Sequence, residues 1–175
     1  ERVPMTGQDR LRFLKTFGPG LLMLLLVYMG LTAFRDLRDN FMADILSELG
    51  VENSGVFAQV ETIVAFAVLA LLGATFLIKD NMKAFNFNLF LVVAGLGLIG
   101  GSMLLFNAGA ISPTVWMIMI GIGIYMGYIP FNCILFERMI AAFKYKSNAG
   151  FLIYVADALG YTAAIAILFY REFGQ

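Results

Sequence analysis

Long apolar runs separated by short polar turns dominate the chain, and read in order they give five helices long enough to cross a bilayer. Leu21 to Leu31 is almost unbroken hydrocarbon. The apolar positions after it, Phe34, Leu37, Phe41 and Ile45, keep helical spacing, so Pro19-Gly20 is expected to open a first span of about residues 20–46. Asn53-Ser54-Gly55 reads as a helix start and precedes a second span of about 56–78. A third span, about 87–106, carries no charge, and Pro113 suits the first turn of a fourth, about 114–143. The fifth covers about 149–170. The expected architecture is an all-α, polytopic helical membrane protein.

Polar residues interrupt this hydrocarbon at a few places only. The sharpest is Tyr28 to Asn40, where the first span acquires Arg35, Asp36, Arg38 and Asp39. An arginine or aspartate near the centre of a spanning helix costs roughly 2.5–3.5 kcal/mol, so such residues face a bundle interior or a wet cavity and pair with one another. Arg35 and Asp39 are four apart, which permits a pair on one helix face, and Tyr28 and Thr32 extend the same stripe. The solvated end of a long helix would also suit these charges.

The other spans offer partners. Glu61 lies in the second, and the fifth carries Gly150, Tyr154, Asp157 and Tyr161 at spacings of four, three and four. Arg35 or Arg38 is therefore expected to pair with Glu61 or Asp157. The fourth span contributes Tyr125, Tyr128 and Asn132, with Pro130 removing a backbone donor and so predicting a kink or hinge. Glu137 and Arg138, near its far end, suit either a gate or a solvated helix end. Gly97-x-x-x-Gly101 and Gly123-x-x-x-Gly127 permit close helix contact.

Composition narrows the function classes. Hydrophobic residues make up 61% of the chain against 14% charged, and twelve basic residues balance twelve acidic ones, so no global field suggests nucleic acid. Histidine is absent, which removes the commonest metal ligand and proton shuttle and leaves any relay to carboxylates and tyrosines. The serines have no histidine to activate them, and no nucleotide-binding loop or metal constellation is present. The single cysteine, Cys133, reads as a small core residue. Neither an enzyme nor a bound cofactor is expected.

Basic residues set an orientation. Residues 1–17 are polar and basic, with Leu11 and Leu14 beside Arg10, Arg12 and Lys15, which suits either an amphipathic surface helix or a solvated linker ahead of the bundle at 18–175. Arg2 and that cluster, Lys79 with Lys83, and Lys144 with Lys146 all fall on one side, while the turns near Glu52 and Ala110 hold no lysine or arginine. By the positive-inside rule the amino end is cytoplasmic and the carboxyl end external. The opening Glu1-Arg-Val-Pro suggests a segment of a longer protein.

Four spans carry polar groups and the third carries none. In that distribution the chain resembles one six-helix half of a major facilitator superfamily transporter, in which the third and sixth helices face lipid. More specifically, Thr32-Ala-Phe-Arg-Asp-Leu-Arg-Asp-Asn-Phe41, Gly127-Tyr-Ile-Pro-Phe-Asn132, Ala142-Phe-Lys-Tyr145 and Gly150-Phe-Leu-Ile-Tyr-Val-Ala-Asp-Ala-Leu-Gly-Tyr161 resemble a bacterial family of facilitator-like membrane proteins classed as a domain of unknown function. The resemblance implies the carboxyl-terminal half of such a protein in the cytoplasmic membrane, lacking its amino-terminal half and last helix. Facilitators carry Gly-x-x-x-Asp-Arg-x-Gly-Arg between their second and third helices; here Lys79-Asp-Asn-Met-Lys83 keeps only charge.

The expected function is secondary transport of a small polar or charged solute by rocking of two halves, with Arg35 and Arg38 as anion contacts and Asp157 or Glu61 as proton acceptors. The alternative is a non-transporting scaffold or sensor that holds a protein partner. An intact mass measured on protein from its native membrane is expected near twice the 19.3 kDa of this chain. A value near 19.3 kDa would favour the scaffold.

Overall fold

The computed structural model describes residues 6–51, 53–144 and 148–174. Arg2, Glu52, Tyr145, Lys146 and Ser147 lie outside them, as do the side chains of Ser54 and Cys133. Among the described residues all regular structure is helical: α1 (Gly7–Glu48), α2 (Ser54–Phe76), α3 (Asn81–Asn107), α4 (Pro113–Cys133), α5 (Leu135–Ala142) and α6 (Ala149–Phe173). All but α5 are long and apolar enough to span a membrane. Their outward faces are hydrocarbon, with Met23, Phe66, Leu104 and Phe169 largely exposed, as contact with lipid requires.

Every helix start but that of α5 has a capping side chain. Thr6 and Asp9 form a reciprocal capping box at α1; Asn53, Asp80, Ser112 and Asn148 each accept a bond from a backbone N–H in the first turn of the next helix. Asn53 and Pro113 thus do what their sequence position suggested. Two of the turns close alike. Gly50 and Gly109 take φ of +81° and +67°, and the residue after each returns its N–H to a carbonyl of the preceding helix, Val51 to Leu46 and Ala110 to Leu105.

Two expected boundaries move. Pro19 does not start a span; it sits inside α1, which runs unbroken for 42 residues. Phe13 and Phe17 before the proline and Leu21 and Leu25 after it enter one hydrophobic cluster, so packing on both sides holds the axis where local propensity would break it. The fourth span is not continuous to residue 143 either. It divides at Ile134, where φ is −137°, four residues after Pro130. An unbroken helix would set Phe131 and Phe136 about 140° apart. The break brings both into the same core, with ring centroids 6.0 Å apart.

α1 packs most extensively on α6, and α3 on α4, while α4 also meets α1 and α2. Two hydrophobic clusters result. One gathers Phe13, Leu21, Phe131, Phe136 and Leu152 near the α1 start; the other gathers Leu46, Val60, Met117 and Ile124 near its end. The polar residues of α1 lie between them.

The α3–α4 contact is nearly backbone to backbone. A Cβ on Gly95 would lie 2.5 Å from the Gly123 carbonyl oxygen and 2.9 Å from the Gly127 nitrogen. Gly97 and Gly101, the pair singled out by spacing, have nothing within 4 Å, so only the Gly123 and Gly127 pair is used, and its partner is Gly95. Gly95→Ala is expected to lower the thermal midpoint in detergent by overpacking of about 1–3 kcal/mol. Gly97→Ala is expected to be neutral or slightly stabilising, since alanine is the better helix former by about 1 kcal/mol.

Candidate functional site

α1 threads its polar residues between α2, α4 and α6, and two connected groups form. In the first, the Arg38 guanidinium donates through Nη2 to Glu61 Oε1 at 2.7 Å and through Nη1 to Asp39 Oδ1 at 3.1 Å. Tyr125 donates its hydroxyl to the other Asp39 oxygen at 3.0 Å. One cation therefore joins α1, α2 and α4 through two carboxylates. The Arg38 side chain is 3% exposed, whereas those of Glu61 and Asp39 are 45% and 38% exposed. The guanidinium fits because position 121 has no side chain: a Cβ there would stand 2.7 Å from Arg38 Nη2.

The second group centres on Tyr28, which is fully buried. Its hydroxyl oxygen lies 2.5 Å from Asp157 Oδ1 and 3.0 Å from Asn132 Oδ1, so it ties α1 to α6 and α4. A phenol has one proton and cannot donate to both. Two arrangements satisfy the phenol. With Asp157 ionised, Tyr28 donates to it and the Asn132 amide, turned over, donates to the phenol oxygen. With Asp157 protonated, the carboxyl donates to Tyr28, which donates onward to Asn132. One proton and one amide rotation separate the two.

An aromatic stack extends the second group towards Arg35. Tyr128 lies parallel to Tyr28 with centroids 5.3 Å apart, and the Arg35 guanidinium sits 4.5 Å from the Tyr128 ring centre while bonding Asp36 at 2.6 Å. Gly160 of α6 leaves room for α1 here, since a Cβ on it would meet Thr32 Oγ1 at 2.8 Å and Tyr28 Cε1 at 3.0 Å.

Arg38 does pair with Glu61, as expected. The intrahelical Arg35–Asp39 pair does not form; each arginine bonds the aspartate that follows it, because the Tyr128 ring holds one guanidinium and Glu61 draws the other towards α2. Asp157 takes Tyr28 rather than an arginine. Tyr154 and Tyr161 do not join it: they are 76% and 50% exposed, and Asp157 alone of that stripe turns inward. Pro130 is buried beside the α4–α5 break. Glu137 is exposed, and Arg138 donates to Asn81 Oδ1 at 2.6 Å, tying α5 to the start of α3. Tyr125 belongs with the site residues; its spacing of three and seven from Tyr128 and Asn132 was the available signal. Among the described residues no three carboxylates or thiols converge as metal ligands would.

Five apolar helices enclosing paired arginines and a carboxylate–tyrosine–amide cluster define a polytopic helical bundle consistent with an integral membrane protein. The chain belongs to a family of unknown function (DUF5690), which it matches over residues 1–175. No curated protein and no solved structure matches it.

A double-mutant cycle between Arg38→Met and Glu61→Gln is expected to return a coupling of about 1 kcal/mol in unfolding from detergent, because Glu61 is too exposed for the larger values of fully buried pairs. A coupling near zero would leave Arg38 held by Asp39 alone. Gly121→Ala is expected to destabilise by about 1–3 kcal/mol through displacement of the guanidinium.

Proposed function

We propose that the chain forms part of a facilitator-type secondary transporter of a small polar solute, coupled to protons through Asp157. The Tyr28–Asp157–Asn132 cluster carries this reading: its phenol can be satisfied in two states that differ by a proton and an amide rotation, where α1, α4 and α6 meet. A site that can hold or release a proton where three helices meet has the makings of a coupling element. The exposed flanks of Glu61 and Asp39 support a pathway along this face, with the opposite wall supplied by a second bundle. In this reading the amino end lies in the cytoplasm of a bacterial cell.

The charge balance bears on the solute. Arg35 and Arg38 are already bonded to carboxylates, and two cations stand against four carboxylates, Asp36, Asp39, Glu61 and Asp157. Within the polar or charged solutes expected, that favours a neutral or cationic one over an anion held by Arg35 and Arg38. Pairing of both arginines is also what a scaffold would need, and the open flanks of Glu61 and Asp39 argue against that alternative.

Proteoliposomes of the full protein, examined on a solid-supported membrane under a pH gradient with amino acids, sugars and primary amines as probes, are expected to give a transient current with one class. Asp157→Asn is expected to reduce it to background, with Tyr28→Phe intermediate. Absence of current with every probe, or full current in Asp157→Asn, overturns the proposal.

A further inference from the structure

Three buried polar atoms have no hydrogen-bond partner among the described residues: Arg38 Nε, Trp116 Nε1 and Asn88 Oδ1. Asn88 faces a space of about 10 Å³, room for one water at most. Arg38 and Trp116 differ, because both line one half-open cavity of about 360 Å³ bounded by α1, α3, α4 and α6. That volume lies in the range of small-molecule sites, about 300–1,000 Å³. Its walls are Phe34, Leu37, Met103, Met117 and Ile120.

The two donors restrict the occupant. Arg38 is 4% exposed and Trp116 9% exposed, so an acceptor reaches their N–H groups only from within the cavity and with a small turn of the two side chains towards it. The Arg38 charge is already offset by Glu61 and Asp39, so its free Nε–H calls for a neutral acceptor rather than another anion. Trp116 Nε1–H asks for the same. An ester carbonyl on a hydrocarbon chain meets both needs, with the chain lying on the apolar walls.

The rim restricts it further. Asp44, Glu48 and Arg171 line the same cavity, and the Arg171 guanidinium is held 3.2 Å from the Phe41 ring centre. One cation beside two carboxylates suits a phosphate joined to a protonated amine, whereas a purely anionic headgroup would meet both carboxylates. Depth agrees with this. Glu48 ends α1, Arg171 lies in the last turn of α6 and Trp116 in the first turn of α4, so the cavity opens at the helix ends, where headgroups and esters of a bilayer lie.

From this we infer that the cavity is a binding site for a phosphatidylethanolamine-type phospholipid. Its ester carbonyls accept from Arg38 Nε and Trp116 Nε1, its phosphate meets Arg171, and its ammonium donates to Asp44 and Glu48. The inference is independent of transport.

Trp116 is the chain's single tryptophan and reports on the site directly. The full protein would be placed in equimolar phosphatidylethanolamine and phosphatidylglycerol vesicles with brominated acyl chains on one lipid or the other, and its fluorescence quenching measured. Brominated phosphatidylethanolamine is expected to be preferred at the site about tenfold, the worth of roughly one charge-assisted hydrogen bond, and Asp44→Asn with Glu48→Gln is expected to abolish the preference. Equal quenching by the two lipids, stronger quenching by phosphatidylglycerol, or a preference unchanged in the double variant would each overturn the assignment.

Discussion

A guanidinium enclosed by hydrocarbon must be neutralised where it stands, and Arg38 is the residue to which much of this bundle is fitted. Its two carboxylate partners come from its own helix and from α2, and the tyrosine that completes the chain comes from α4. The pairing therefore fixes the rotation of α1 about its axis as well as its neighbours. Once that rotation is set, Tyr28, ten residues earlier, necessarily faces the junction of α4 and α6.

Absent side chains matter as much as the charged ones. Gly121 makes the seat for Arg38, Gly160 the seat for Tyr28 and Thr32, and Gly95 with Gly123 the backbone contact that brings α3 onto α4. In a bilayer, hydrocarbon burial gives no preference for helix over lipid, so close approach and polar bonds must supply the specificity. Here both operate at the same positions. The small residues lie opposite the polar ones, and removing either kind loosens the other.

Much of the fold was legible because lipid solvation leaves long apolar runs few alternatives: five long apolar helices form, and Asn53 and Pro113 stand at helix starts as the pattern puts them, although the first and fourth spans have other bounds. What escaped the pattern depends on neighbours in space. Pro19 is a breaker by local chemistry, yet Phe13 and Leu21 on either side share a core. Spacing allowed Arg35 to reach Asp39, but the ring of Tyr128, ninety-three positions along the chain, decides where that guanidinium lies. The polar stripe of α6 likewise named Asp157 without showing that Tyr154 and Tyr161 turn outward. Spacing gives reach; the angle at which two helices meet selects which of the groups within reach will bond.

The continuity of α1 through Pro19 has a mechanical consequence. Forty-two helical residues make a rod about 63 Å long, with Tyr28 close to its middle. A tilt of about 5° around that point would sweep the Glu48 end sideways by roughly 2.6 Å and carry the Gly7 end slightly further the other way. A break at Pro19 would have uncoupled the two arms. As built, α1 is a lever with its fulcrum at the Tyr28–Asp157 contact, and leverage applied at either tip arrives at the other with reversed sign.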